Sequence, residues 1–564
     1  MTVLIAILLL LFIPAVMAIL RLTRLTTRFL WLATLTGALA VWGLVFAARF
    51  RLPDEIAPQT WQPVSFLTQS PALNVDDLSW SMAMALVTLL LAVVLTSAAR
   101  LDWRRTPPPA PQPALENIPN PARTPSPQTS QETHWKAWAA NLALTSLGLV
   151  AVMAGNILTL LLAWTALDIV EVIILLGQAP TSKERGQGVR AFSARLGGIG
   201  VLLMAGIAAW GQGEQFDFAT SSSLATLFML AAGGIRLGIL PVIAPSLSEL
   251  PMRIGLGTIL RIVPVASSLV LLARSSASGV AGIAGWVLLG FAALTGLIGG
   301  TGWLRAQDAL AGRPYWILAV SSLAMTAAIL GQPQACLAWS LVALLPGGLL
   351  FLNSVKRPAT SVIRLFGAVS LAGLPFSPAW AGTRLFQMPF QAEGLASRAG
   401  VVLLGLIFFV VHVLLLIGFI TQALRSSARL SEASPATVDR WVLLLYIPGL
   451  ASLLAIHWVL GWLIHPPVAA ISRVMWIEGA AASAVVAGSW IYSSRAAWPK
   501  PPQLTERRGL NLGQIYQPLV HFMALFFRQM ARIIHGFSTV MEGEAGILWA
   551  FVLLVLALAF LQQG

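Results

Sequence analysis

Residues 156–177 read NILTLLLAWTALDIVEVIILLG. A helix of this length rises about 33 Å, enough to cross a bilayer core of about 30 Å. Every residue in it is apolar, small or neutral except Asp168 and Glu171, which lie three apart on one helical face. A charged group at bilayer depth costs about 2.5–3.5 kcal/mol on insertion scales. A spanning segment that keeps two carboxylates therefore needs partners or a function to offset that cost.

The rest of the chain has the same character. It has 564 residues, 57% of them hydrophobic and 10% charged, with a mean hydropathy of +0.81. An ordinary soluble domain carries about 25% charged residues. Apolar runs of spanning length recur from end to end, and the expected fold is an all-α, polytopic membrane protein with about sixteen transmembrane helices. The first run is long, lacks a basic leader and is followed at once by another, so it reads as a span rather than a cleaved signal. The single cysteine, Cys336, excludes an internal disulfide framework and a cysteine-ligated cluster. Of the six histidines only His412 and His457 fall inside apolar runs, which argues against paired haem ligands. The sequence has no Walker loop, dinucleotide fingerprint or metal-ligand cluster, so no cofactor or metal site is expected in this chain.

A net charge of +14 raises nucleic acid as a partner, but its placement explains it otherwise. On the span map, Arg236, Arg261 and Arg384 lie inside apolar segments, and Arg49, Arg51, Arg274, Arg398 and Arg473 lie in loops on one side. All other Lys and Arg residues, Arg195 and Arg313 among them, lie on the opposite side. The positive-inside rule makes that side cytoplasmic and puts both termini on the non-cytoplasmic side of the cell (inner) membrane. The basic charge orients the protein, and no nucleic acid is needed.

Six regions are expected. Residues 1–98 form an N-terminal three-helix region, and 99–135 a proline-rich cytoplasmic loop of tether composition. Residues 136–275 and 276–430 are two five-helix repeats. Residues 431–513 form a two-helix extension, and 514–564 an amphipathic surface helix followed by a final span. The repeats rest on broken helices in matching places. Residues 227–245 read LFMLAAGGIRLGILPVIAP, with Arg236 ahead of Pro241 and Pro245. Residues 365–386 read LFGAVSLAGLPFSPAWAGTRLF, with Gly373, Pro375 and Pro378 as breakers and Arg384 beyond. Membrane helices tolerate such residues, and either break alone carries little. Two breaks five helices apart, both beside buried arginines and with Arg261 near Pro264 between them, point to inverted repeats around a hydrated site.

At these residues the chain resembles the antiporter-like membrane subunits of respiratory complex I, which also occur in membrane-bound hydrogenases and multi-subunit Na+/H+ antiporters. The family's apolar fifth helix ending in Trp-Glu is similar to Asn156–Trp164 followed by Thr165. Its lysine five residues before a proline is similar to Arg236 and Pro241. Its eighth-helix stretch ending in arginine is similar to the run ending at Arg274, and its Gln-x-Asp and Ser-Ser segment to Gln307, Asp308, Ser321 and Ser322. Gly373, Pro375 and Arg384 resemble the twelfth-helix pattern, and Val75, Asp76, Asp77, Leu78 and Ser79 the motif before the third helix. The resemblance covers roughly residues 60–430.

It implies a membrane-arm subunit that moves protons or Na+ beside other membrane subunits and peripheral redox subunits, in contact with lipid. Any redox chemistry then belongs to those partners. The family's relay positions carry over to Thr165, Arg236, Leu260 (beside Arg261) and Arg384. Threonine holds no ionic proton, and arginine stays protonated where lysine would release. Asp168, one turn beyond Thr165 on the same side of the helix, then stands in for the missing carboxylate and pairs with Arg236, with Glu171 and His412 as further relay candidates. Two other readings remain open: a subunit of a cation/proton antiporter or ion-coupled uptake system, and a non-conducting structural subunit.

Overall fold

In hydrocarbon an unbroken apolar chain satisfies its backbone only as helix, and helices dominate. In the computed structural model they run α1 (Thr2–Leu22), α2 (Thr27–Ala48), α3 (Asp77–Ser97), α4 (Pro127–Val152), α5 (Ile157–Gln178), α6 (Ser182–Gly211) and α7 (Ser223–Arg236). They continue as α8 (Ile254–Ser275), α9 (Gly282–Arg305), α10 (Ala309–Ile329), α11 (Pro333–Leu352), α12 (Pro358–Leu371), α13 (Leu395–Leu424) and α14 (Arg440–Ile464). The structure describes residues 1–22, 27–56, 70–100, 127–178, 182–211, 218, 222–240, 254–277, 279–355, 358–390, 395–424, 440–464, 477 and 479–484. All belong to one compact unit, Met1–Ala497; the second unit, Trp498–Gly564, lies outside the described residues, as do the amphipathic helix and final span expected there. Most of the proline-rich stretch, 101–126, also lies outside them.

The helices fall one by one on the expected spans up to residue 464, and ten of those described are long and apolar enough to cross a bilayer. The chain is an all-α, multi-pass membrane protein. The boundaries of α4, α7 and α12 differ from expectation. Helix α4 starts at Pro127, inside the stretch read as loop. Proline suits the first helical position, where its fixed φ fits and no amide is missed. Helix α7 ends at Arg236, ahead of Pro241. Gly238, at φ 77°, turns the chain, so that the amides of Leu237 and Ile239 reach back to the carbonyls of Gly233 and Gly234. Glycine alone adopts that backbone without strain.

Burial sorts the helices. The apolar windows of α3 and α8 are 89% buried and that of α11 is 100% buried, whereas only 17% of that of α6 is. On α5 the outward residues are Leu162, Ile169, Ile173 and Leu176, as a lipid-facing side requires. Two rings of five share a neighbour order. α4, α5, α6, α7 and α8 pack in sequence and close through α4 on α8, and α9 to α13 do the same through α9 on α13. Helices α8 and α10, and α8 and α11, join the rings, while α3 packs on α8, α11 and α14. The short helices α7 and α12, each 14 residues, are the fourth member of their ring, and each ends in a break. The expected twelfth span is thus not one helix: α12 stops at Leu371, Gly373 turns at φ 67°, and a 3-10 segment, Trp380–Phe390, follows.

One end of the bundle is tied by polar contacts. Strands β1 (Asp54–Ile56) and β2 (Leu73–Val75) pair antiparallel just before α3. Asp76 caps α3, accepting from the Ser79 amide at 2.7 Å while the Ser79 hydroxyl accepts from the Asp76 amide at 2.9 Å. Arg274 donates to the carbonyls of Ala154 and Asn74 and lies 3.7 Å from the Asp76 carboxylate. Arg49 pairs with Asp77. The motif residues 75–79 and Arg274 therefore hold this end together.

Candidate functional site

Helix α5 presents Trp164, Asp168 and Glu171 on its buried side, at the i, i+4, i+7 spacing of one helical face. Facing them, α6 supplies Arg195 and Gly198, and α7 supplies its last residue, Arg236. The Arg236 guanidinium grips Asp168 with both terminal nitrogens, Nη1 at 2.6 Å from Oδ2 and Nη2 at 2.8 Å from Oδ1. Its other face lies 4.1 Å from the centre of the Trp164 ring. Its stem passes over Gly198, where an added Cβ would sit 2.5 Å from Arg236 Cγ. Glycine on α6 thus makes the notch through which Arg236 reaches α5.

Arg195 completes the cluster. It pairs with Glu171 and lies 3.8 Å from Asp168 Oδ1, while its carbonyl receives Arg236 Nη1 at 3.5 Å. The charges alternate as Arg236, Asp168, Arg195, Glu171, two of each sign. Asp168 and Glu171 are each only 1% exposed. Buried ions are tolerable only when paired and hydrogen-bonded, and this arrangement neutralises all four. A cation closing α7 also suits the partial negative charge at a helix C-terminus. Chemically, the cluster can hold fixed positive charge at a helix break and can exchange a proton only at its carboxylates.

The other sequence candidates are elsewhere. Thr165 is on the exposed side of α5, its hydroxyl bonded to the Leu161 carbonyl at 2.8 Å. The reading that put it on Asp168's side is corrected: three residues turn a helix about 300°, and the in-phase residue is Trp164. Leu260 is fully buried on α8 and Arg261 half-buried beside it. Arg384 lies in the 3-10 segment, not in a helix, and donates to Gln334 Oε1 at 2.8 Å in an exposed contact near the start of α11. His412 is on α13 and belongs to the second ring. Its ring meets the Leu371 carbonyl at the end of α12, the edge of Trp339 and the face of Phe386, so it joins none of the four clustered charges.

Sequence reasoning missed Arg195, Arg313 and Arg364, the last only 9% exposed on α12. All three sort with the cytoplasmic charges because each falls near the start of an expected span. In the structure Arg195 is half-buried against Glu171, and Arg313 on α10 reaches Thr258 on α8 at 3.3 Å, over the Phe351 ring. The available signal for Arg195 was the unpaired Glu171. Among the described residues no group of three His, Cys, Asp or Glu is placed to hold a metal ion.

No protein-family model matches the sequence, and no curated protein matches it. Solved structures do match. A chain of the Mrp complex from Dietzia sp. DQ12-45-1b superposes with a TM-score of 0.66 at 15% identity, over 100% of this chain and 63% of that one. This chain thus spans under two thirds of its length. A chain of respiratory complex I from Thermus thermophilus, solved with bound aureothin, gives 0.53 at 17% identity, over 81% of this chain and 98% of that one. A chain of the membrane-bound sulfane sulfur reductase, an archaeal respiratory membrane complex, gives 0.57 at 14% identity, over 98% and 99%. Identities this low establish a shared fold.

Proposed function

We propose that this chain is an antiporter-like membrane subunit of a multi-subunit, complex I-like or antiporter-like assembly, and that it takes part in moving protons or Na+ with an altered charged relay. The observation that carries the reading is the Asp168–Arg236 pair at the break of α7, within a fold shared with chains of the Mrp complex, complex I and the sulfane sulfur reductase. A buried carboxylate held against a cation at a helix break is a place where a local field can gate an ion. In this reading Arg195 and Arg236 are permanent charges, because a guanidinium does not give up its proton near neutral pH. Transfer then runs through carboxylates, histidine and water. Other membrane subunits are its partners, and peripheral redox subunits supply any electron chemistry.

A second reading, a non-conducting structural subunit, is favoured by the same cluster seen differently: four mutually neutralised charges leave no spare carrier. One experiment separates them. The assembly that co-purifies with the tagged full chain is identified and reconstituted in liposomes with an internal pH dye. Proton or Na+ flux that falls in Asp168→Asn while the complex still assembles supports translocation. Flux that is indifferent to Asp168→Asn and Glu171→Gln supports the structural reading.

A further inference from the structure

Arg364, the seventh residue of α12, is 9% exposed, and no carboxylate pairs with it among the described residues. Its neighbours offer none. Helices α11, α13 and α14 pack on α12, and none of the four helices contains an aspartate or a glutamate. A cation taken out of water needs an opposite charge, and elsewhere in this chain Arg195 and Arg236 have theirs. Arg364 is buried without one.

Its geometry leaves room for a counter-ion. Long side chains on a helix lean towards the N-terminus, and Arg364 does so. Its Nε donates to the Thr360 carbonyl at 3.2 Å and its Nη2 to Ser361 Oγ at 2.9 Å. Those bonds use two of the five N–H groups of a guanidinium, and Nη1 has no protein partner among the described residues. Ser361 is exposed, so the charged head reaches the rim of the outward face of α12. The turn that holds it is anchored, because Thr360 Oγ1 donates to the Val355 carbonyl at 3.1 Å.

The rest of that face is apolar. Val362, Leu365, Phe366 and Val369 are exposed at the i, i+3, i+4, i+7 spacing of one helical stripe. Towards the helix start the stripe gives way to Ser361, the Arg364 guanidinium and the unpaired amides of the first turn, where partial positive charge gathers. No acidic residue lies in that turn. The charge distribution assigns this end to the cytoplasmic leaflet, whose surface is negative. A positive corner at the head of an apolar stripe matches the two ends of one phospholipid.

We propose that the start of α12 is a binding site for an anionic phospholipid, with its phosphate on Arg364 Nη1 and an acyl chain along Val362, Leu365, Phe366 and Val369. The lipid supplies the negative charge that α11 to α14 lack. A zwitterionic headgroup brings its own ammonium and neutralises Arg364 less well, so the site distinguishes lipids by charge. Arg364 is thus a recognition residue for the bilayer, separate from the ion pairs of the first ring.

The test uses the full chain in the assembly that co-purifies with it, reconstituted in phosphatidylcholine bilayers. These are doped with either phosphatidylglycerol or phosphatidylcholine carrying the same photoactivatable acyl chain, and cross-links to residues 358–371 are read by mass spectrometry. Phosphatidylglycerol is expected to label this stretch about tenfold more, the preference that one charge-assisted hydrogen bond supplies. Arg364→Gln should abolish the preference and Arg364→Lys should keep most of it. Arg305→Gln, which removes an exposed cation at the end of α9, should leave it intact. Equal labelling by the two lipids in the unmutated chain would overturn the proposal, and that comparison needs no variant to fold. A preference that survives Arg364→Gln would overturn it as well. Loss of the preference in excess inorganic phosphate would make this a site for soluble phosphate, and a partner subunit's carboxylate found on Arg364 would replace the lipid. Each readout is independent of flux, so an assembly that moves no ions would defeat the translocation reading and leave this one standing.

Discussion

Arg236 and Asp168, 68 residues apart in sequence, meet head to head through two hydrogen bonds of 2.6 and 2.8 Å inside the first ring. Neither side chain is more than 1% exposed, so neither ion has water to fall back on. Breaking one member of such a pair typically costs about 3–5 kcal/mol, because the other is left charged and buried. Asp168→Asn is expected to lower the thermal stability of the assembly by that order. Adding Arg236→Met should recover part of the loss. Strictly additive losses in the double variant, measured by thermal unfolding in detergent, would show that the two residues are not coupled.

Arg236→Lys probes geometry rather than charge. Lysine keeps the cation but gives up the two-pronged grip on Asp168 and the guanidinium's contact over the Trp164 ring. The expected outcome is retained assembly with a stability loss of about 1 kcal/mol, the net worth of one hydrogen bond. Flux should be equal or higher, because lysine can release a proton where arginine cannot. Loss of flux in a variant that still assembles would mean the guanidinium shape is needed for transport.

Gly198→Ala should disturb the same pair from a third helix. Its new methyl would lie 2.5 Å from Arg236 Cγ and 3.2 Å from the Ala232 carbonyl, so the α6–α7 contact must open. Overpacking of this kind costs about 1–3 kcal/mol. Gly200 has nothing within 4 Å of an added Cβ, and Gly200→Ala is the control, expected to stay within about 0.5 kcal/mol. Equal effects from the two, measured by thermal unfolding, would remove the notch from the account.

Topology is open to a chemical test because the only cysteine, Cys336, is fully buried on α11. A cysteine placed at Pro111 should react with a membrane-impermeant maleimide in inverted vesicles and not in right-side-out ones. The opposite pattern would reverse the orientation taken from the charge distribution.

The sequence disclosed the helices because hydrocarbon leaves the backbone one solution, and long apolar runs report it directly. It disclosed Asp168–Arg236 for a related reason: few ions sit at bilayer depth, and each needs an opposite. It failed at phase and at edges. Thr165 was placed with Asp168 because three residues nearly make a turn, yet the remaining 60° or so carries it to the exposed side. Arg195 was hidden because the apolar run around it begins only a few residues earlier, at an expected span edge where a basic residue ordinarily reaches water or headgroups. Arg384 was read as a span residue because Trp380–Phe390 is apolar enough, although a 3-10 segment carries it to the surface contact with Gln334. Nothing in one sequence tells which helices lie side by side, so the meeting of His412 and His457 at adjacent residues of α12 was not legible.

The two breaks also differ in what closes them. At α7 the chain folds back on its own carbonyls through the amides of Leu237, Ile239 and Leu240. At α12 the chain folds back too, the amides of Ala372 and Ala379 on the carbonyls of Val369 and Ser370, and its last turn is also held by side chains of other helices, with Leu371 bonded to α13 and Ser370 to α14. In mechanical terms the first is a clasp and the second a bearing. A clasp keeps its shape when its neighbours slide. A bearing does not, and any tilt of α13 or α14 loads the end of α12 directly.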